Sequence, residues 1–412
     1  MQTWNLLGLS AVLLALPCGC ASVHGVRPEK APGLIVDQSG VLRKGGQPFR
    51  GIGVNYFDAF ARTLKDPNDT SYREGFAELA RRGIPFARFM ACGFWPSDWK
   101  LYREDKERYF KLLDGVVKAA EEHRVGLIPS LFWYSATVPD LAGEPRDQWG
   151  NPQSKTHAFM RRYVQEVVTR YKESPAIWGW EFGNEYSLDA DLPNAAEHRP
   201  KVVAQLGTAA SRSARDDLAH DMIATAFAEF AREVRKHDPH RIILTGNSLP
   251  RASAWHQWKE KSWKQDSEEQ FAERLAFDNP GPVNALTIHV YDPTEKRFGR
   301  EVTVEELLKL AMGVARKARK PLFVGEFGAS ASGEGGEGKA KAQFAAVLAA
   351  IEKVEVPLAA LWVYDFRGQA ESWNVTATNP RAYQLEAIAE ANRRLQPRLP
   401  AKQGGPQSEK DR

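Results

Sequence analysis

Trp178-Gly179-Trp180-Glu181-Phe182-Gly183-Asn184-Glu185-Tyr186 and Leu322-Phe323-Val324-Gly325-Glu326-Phe327-Gly328 are the two stretches from which the fold can be read. Each is a short apolar run that ends in a carboxylate. A strand covered by helices on both faces reads as nearly continuous apolar sequence, because neither face meets water. Six more such runs occur, at Gly51 to Tyr56, Phe86 to Ala91, Gly126 to Trp133, Ile242 to Gly246, Ala285 to Tyr291 and Leu358 to Tyr364, and with Ile177 to Asn184 and Leu322 to Phe327 they make eight. Between them lie segments of helical periodicity: Tyr72 to Arg82, Lys106 to His123, His157 to Tyr171, Asp217 to His237, Val304 to Arg319 and Lys339 to Val354. Strands alternating with helices predict an α/β protein with a parallel sheet. Eight βα units predict a closed (β/α)8 TIM barrel, with strands four and seven facing each other across its mouth.

Working outward, Leu34 to Phe49 has apolar pairs around Ser39-Gly40 and Gly45-Gly46, a hairpin pattern suited to capping the barrel's lower end. Two connections, Ser187 to Arg215 after strand four and Asn247 to Pro282 after strand five, exceed ordinary barrel loops and leave the face where barrel sites are built, so they are expected to shape a cleft. The apolar run from Leu6 to Leu16, followed by Pro17-Cys18-Gly19-Cys20, reads as an export signal over residues 1–22. It resembles the lipid-attachment site of bacterial lipoproteins, with Cys20 as the modified residue. Residues 23–33 then read as a tether, 34–396 as the folded domain, and 397–412, rich in Pro, Lys, Gln and Gly, as a disordered tail. The expected location is the bacterial cell envelope, lipid-anchored, or the medium. No other membrane contact is expected.

Charge is nearly balanced: 56 Lys and Arg against 52 Asp and Glu leave a net +4, too small over 412 residues to argue for nucleic acid. Apolar residues at 43% suffice for a sizeable core. Of three cysteines only Cys92 lies in the folded domain, so no disulfide is expected there, and without a Cys-His motif it reads as a buried thiol.

The strand-end glutamates resemble those of glycoside hydrolase family 5 and its clan of (β/α)8 retaining β-glycosidases, through Asn184-Glu185 after strand four and Glu326-Phe327-Gly328 at strand seven. The resemblance covers nearly the whole mature chain. It implies Glu185 as acid/base, Glu326 as nucleophile, and Asn184 as a partner of the sugar's 2-hydroxyl. Retaining hydrolysis needs two such carboxyls about 5–5.5 Å apart, one protonated and one ionised. The resemblance further implies that Arg88 supports the nucleophile, that Tyr291 donates to it with His289 nearby, and that Trp362 forms the floor under the cleaved sugar. His289 and Tyr291 have i, i+2 spacing, which sends both to one face of their strand. Cellulase-like members often carry a histidine at the end of strand three, where this chain has Leu131-Phe132-Trp133-Tyr134; the Trp-Glu-x-x-Asn-Glu form of strand four looks closer to the β-mannanase branch. Glu181 shares parity with Glu185 and reads as structural support. Trp133 and Trp255, with Trp95, Trp99, Trp149, Trp258 and Trp263, are candidate aromatics for an oligosaccharide cleft.

The expected substrate is therefore a β-1,4-linked mannan or glucomannan, with a β-glucan as the alternative, and the protein is expected to be a monomer. A metal-dependent hydrolase would need a His and carboxylate cluster where only His289 is clearly placed, so neither metal nor cofactor is expected. The loop Gly333-Glu334-Gly335-Gly336-Glu337-Gly338 is acidic and would repel phosphate. A catalytically silent sugar-binding barrel has no need of an ionised nucleophile with its supports.

Overall fold

The computed structural model describes residues 33–332 and 335–395. The export signal, Cys20, residues 23–32 of the tether, the tail, Gly333 and Glu334 lie outside the described residues. The barrel strands are β1 (Gly51–Asn55), β2 (Phe86–Met90), β3 (Gly126–Phe132), β4 (Gly179–Gly183), β5 (Ile242–Leu244), β6 (Leu286–Val290), β7 (Leu322–Phe327) and β8 (Leu358–Leu361). Every residue in them is buried, which explains their unbroken apolar character. Neighbours pair in parallel, and β8 pairs with β1. The observed strands stop one to three residues short of most expected ends. The residues just beyond, Trp133, Asn184, Tyr291 and Trp362, turn out of the ladder into the mouth.

The ladder is interrupted between β5 and β6, where two asparagines bridge it. The Asn284 side-chain oxygen accepts from the Ile243 N–H at 2.7 Å. That of Asn279 accepts from the Thr245 hydroxyl at 2.9 Å and the Thr287 N–H at 3.1 Å. Each satisfies backbone that the missing strand pairing would leave bare.

Helices pack around the barrel close to their expected bounds. Lys106–His123 agrees at both ends, with Asp105 capping it by accepting from the Arg108 N–H. Lys155–Tyr171 starts two residues early because Ser154 caps it. His220–His237 starts three residues late, its first N–H being taken by the Asp191 carboxylate. The last helix, Tyr383–Leu395, folds back against the outside of β1, where Asn392 accepts from the Ile52 N–H at 2.9 Å and donates to its carbonyl at 2.7 Å.

Two cores result. The larger fills the space between strands and helices. A separate cluster, including Phe86, Ile128, Trp178, Ile242, Phe323 and Leu358, plugs the lower end of the barrel interior. Leu34 and Leu42 of the antiparallel hairpin Leu34–Val36 with Leu42–Lys44 join this cluster, so the hairpin caps the lower end as expected. Cys92 is fully buried, and burial pushes its thiol up to about 12, which leaves it unreactive.

Candidate active site

Two residues above the apolar plug, the interior turns polar. Alternation along β2 carries the inward face from Phe86 to Arg88, and along β4 from Gly179 to Glu181. Arg88 is fully buried and meets five acceptors. Its Nε donates to Glu181 at 2.7 Å, Nη1 to Asn55 at 2.9 Å and Glu326 at 2.8 Å, and Nη2 to Asn184 at 2.8 Å and the Gly183 carbonyl at 3.5 Å. The Trp133 ring lies 4.6 Å from the guanidinium. Burial pulls the guanidinium's pKa down, but Glu181 and Glu326 carry it above its ordinary value. A charge this deep is held only by such partners.

Glu326 reaches the interior by an irregularity. Pairing with β6 passes from Val324 opposite Ile288 to Glu326 opposite His289, so Gly325 is an extra residue, a bulge. A Cβ on Gly325 would lie 2.8 Å from His289 Nε2. Both Glu326 oxygens are engaged, one by Arg88 and the other by the Tyr291 hydroxyl. Burial, then the Glu326 charge, holds the Tyr291 phenol well above its ordinary pKa, so it stays a donor.

Glu185 follows β4 with φ +54°, a left-handed conformation that costs a non-glycine residue energy. The turn is tied by its N–H to the Gly246 carbonyl at 2.9 Å. Gly246 itself has φ +75°, and a Cβ there would fall 1.9 Å from the Gly183 carbonyl oxygen, so only glycine fits. His289 Nδ1 lies 2.8 Å from a Glu185 oxygen and 3.5 Å from Glu326. Burial pushes the Glu185 carboxyl up, but hydrogen bonding and charge from His289, then Arg88 and Ser248, hold it below the ordinary range. One oxygen from each glutamate and a His289 nitrogen lie within 4.8 Å of one another. That cluster has metal-ligand spacing, but the Glu326 oxygen facing His289 already accepts from the Tyr291 hydroxyl and the other from Arg88, so a cation would have to compete with the tyrosine and sit beside a guanidinium.

The cluster opens into a cavity of about 690 Å³. Trp133, Asn184, Tyr291 and Trp362 line it with both glutamates. Trp362 stacks at 26° on Trp133 with centroids 6.1 Å apart, and its indole N–H donates to Gln369 at 2.9 Å. Of the rim tryptophans, Trp95 reaches the cavity, whereas Trp99 and Trp149 are buried core. Trp255 is not brought to this lining: its indole donates to Glu273 and its ring stands edge-on to His256, so it braces the loop after β5. Trp258 packs on Phe277 beneath Arg274. Sequence reasoning missed Asn55, Phe57, Leu206, Gln369 and Trp373. Only Asn55 carried a signal, a polar residue ending an apolar strand.

A (β/α)8 barrel with two glutamates in one hydrogen-bonded cluster at the strands' C-terminal ends defines the class of barrel glycosidases. A family model described as cellulase, glycosyl hydrolase family 5, matches residues 46–365, and the chain belongs to that family. It is 40% identical over 140 residues to the probable mannan endo-1,4-beta-mannosidase F of Aspergillus oryzae, a stretch covering 29% of this chain and 30% of that protein. The chain thus spans less than a third of that relative's length. Among solved structures, the endo-1,4-beta-mannanase from Rhizomucor miehei superposes with TM-score 0.62 at 14% identity, covering 88% of this chain and 99% of that one. The exo-beta-1,4-mannosidase from Opitutaceae bacterium strain TAV5 gives 0.58 at 18%, covering 87% and 63%. At such identities these two share the fold.

Proposed function

We propose that this chain is a retaining glycoside hydrolase of β-1,4-linked mannan or glucomannan, with Glu326 as nucleophile and Glu185 as acid/base. The observation that carries this is the pairing: one oxygen of Glu185 and one of Glu326 lie within 4.8 Å of each other, near enough for the two carboxyls to flank one glycosidic bond as the ~5–5.5 Å pairs of retaining enzymes do. A Glu326 oxygen attacks the anomeric carbon as the bond to the leaving oxygen breaks, and Glu185 gives that oxygen its proton. Water then attacks the same carbon, Glu185 takes its proton, and Glu326 is released. Arg88 and Tyr291 fix both nucleophile oxygens before substrate arrives, so little reorganisation is needed at reaction. The His289 hydrogen bond favours the ionised form of Glu185, which suits the second step.

The mannan preference is supported by the name of the 40%-identical fungal relative, and by Trp133 where a histidine would end strand three of a cellulase-like member. The family's description as cellulase favours a β-glucan as the second reading. Incubation with mannan, glucomannan and cellulose, following product anomers by NMR, tests both. Retained β-configuration on mannan is expected. Inverted product, or cleavage of cellulose alone, would overturn mechanism or substrate respectively. The enzyme is further proposed to act outside the cytoplasm, held through a lipid on Cys20, a reading supported by the apolar run before it. Cys20→Ala should release it from the membrane fraction.

A further inference from the structure

We propose that the cleft is a blind pocket on the non-reducing side of the cleaved bond, so that the enzyme removes short units from chain ends; this rests on the retaining reading above. On that reading the sugar attacked by Glu326 sits against Trp362, which lines the same cavity, and its leaving oxygen faces Glu185. Loops after β8, β1 and β2 therefore meet the non-reducing part, and loops after β4 to β6 meet the departing part. Most of the cavity belongs to the first group, including Phe57 and Asp58 after β1, Trp95 after β2, and Phe366 and Trp373 after β8. At about 690 Å³ it has room for a short saccharide, and what lies at its far end decides whether a chain can continue through it.

Two clasps close its far end. The first is the long segment after β4, which crosses β3's sector of the rim to reach the loop after β2. Arg212 pins it, its buried guanidinium gripping both oxygens of buried Asp140 at 2.7 and 2.8 Å. Arg146, also buried, holds it again through Asp189 at 2.9 Å and the Asp216 carbonyl at 2.6 Å. The segment's tip then lines the cavity with Leu206, while Gly207 lies so close to Pro96 that a Cβ there would be 3.3 Å from the proline ring. The second clasp is Arg62, which ties the β1 loop to the β8 loop through Asp58 at 2.6 Å and Asp365 at 2.9 Å. Asp58 lines the pocket, and among the described residues only Arg62 donates to its carboxylate. It can accept the hydroxyls that distinguish a terminal sugar from one whose chain continues.

The test is cleavage of β-1,4-mannohexaose, and of cellohexaose in parallel, each carrying ¹⁸O at the reducing end, with early products read by mass spectrometry. Unlabelled mono- or disaccharide is expected, with the label staying in the chain shortened by that unit. Labelled short products from internal bonds would overturn the proposal while leaving the hydrolase intact. No cleavage of either by folded protein would remove the hydrolase reading and this one with it. Leu206→Gly, and separately Arg212→Met with Asp140→Leu, open the first clasp. Internal cleavage should rise roughly tenfold or more, the discrimination a single apolar contact supports. Wild-type products from both variants would show that the clasp does not terminate the pocket.

Discussion

The two ends of the barrel interior are built by the same strands, yet they obey opposite energetics. Below, Phe86, Ile128, Ile242, Phe323 and Leu358 are apolar and fully buried, and they contribute stability by leaving water. Higher up, Arg88, Glu181, His289 and Glu326 are nearly as dry but charged or polar. There the Glu181 Oε2, His289 Nε2 and Thr287 Oγ1 atoms have no partner among the described residues. Buried polar atoms without partners cost stability. The lower end therefore holds the fold that the upper end strains.

That contrast can be broken in graded steps. Glu326→Ala should lower turnover at least about 10⁴-fold, since a nucleophile acts as a unit with its supports. Its circular dichroism should match wild type, and retained activity would break the assignment. Arg88→Met leaves Glu181 and Glu326 buried without their counterion and should destabilise by about 3–5 kcal/mol in denaturant unfolding. Phe323→Leu keeps the plug apolar and should cost about 1 kcal/mol, with turnover unchanged. The subtlest effect is one of pH. Glu185 is held below its ordinary pKa chiefly by His289 working against burial, so His289→Phe should leave burial in control and let Glu185 keep its proton to higher pH. The alkaline limb of the kcat/KM profile, which reports the free enzyme's acid, should move upward. Movement downward, or none, would mean that His289 does not set that proton.

The eight strands were legible because burial on both faces leaves nothing else for their sequences to be. The site was legible where a polar residue interrupts or ends an apolar strand, as with Arg88 inside β2 and with Glu185, His289 and Tyr291 at the ends of β4 and β6. It was less so at Glu326: strict alternation from inward Phe323 points Gly325 inward and Glu326 outward, and only the bulge turns it back. The segment after β4 was seen as long, but its path was not, because it depends on Arg146 and Arg212 finding partners on another loop. Trp255 misled because tryptophan serves packing and sugar binding alike, and its partner Glu273 lies in a helix that periodicity had not singled out.

The pairing of β8 with β1, and the double hydrogen bond from Asn392 to Ile52, join residues more than three hundred positions apart. A chain synthesised from its N-terminus must therefore keep β1 waiting, with an open edge, until β8 has been made, and the Ile52 peptide groups waiting until Asn392 follows. Such long-range closure slows folding and leaves an unpaired strand edge exposed meanwhile. The same delay keeps the nascent polypeptide threadable, since no length of it that stops short of β8 can close the barrel.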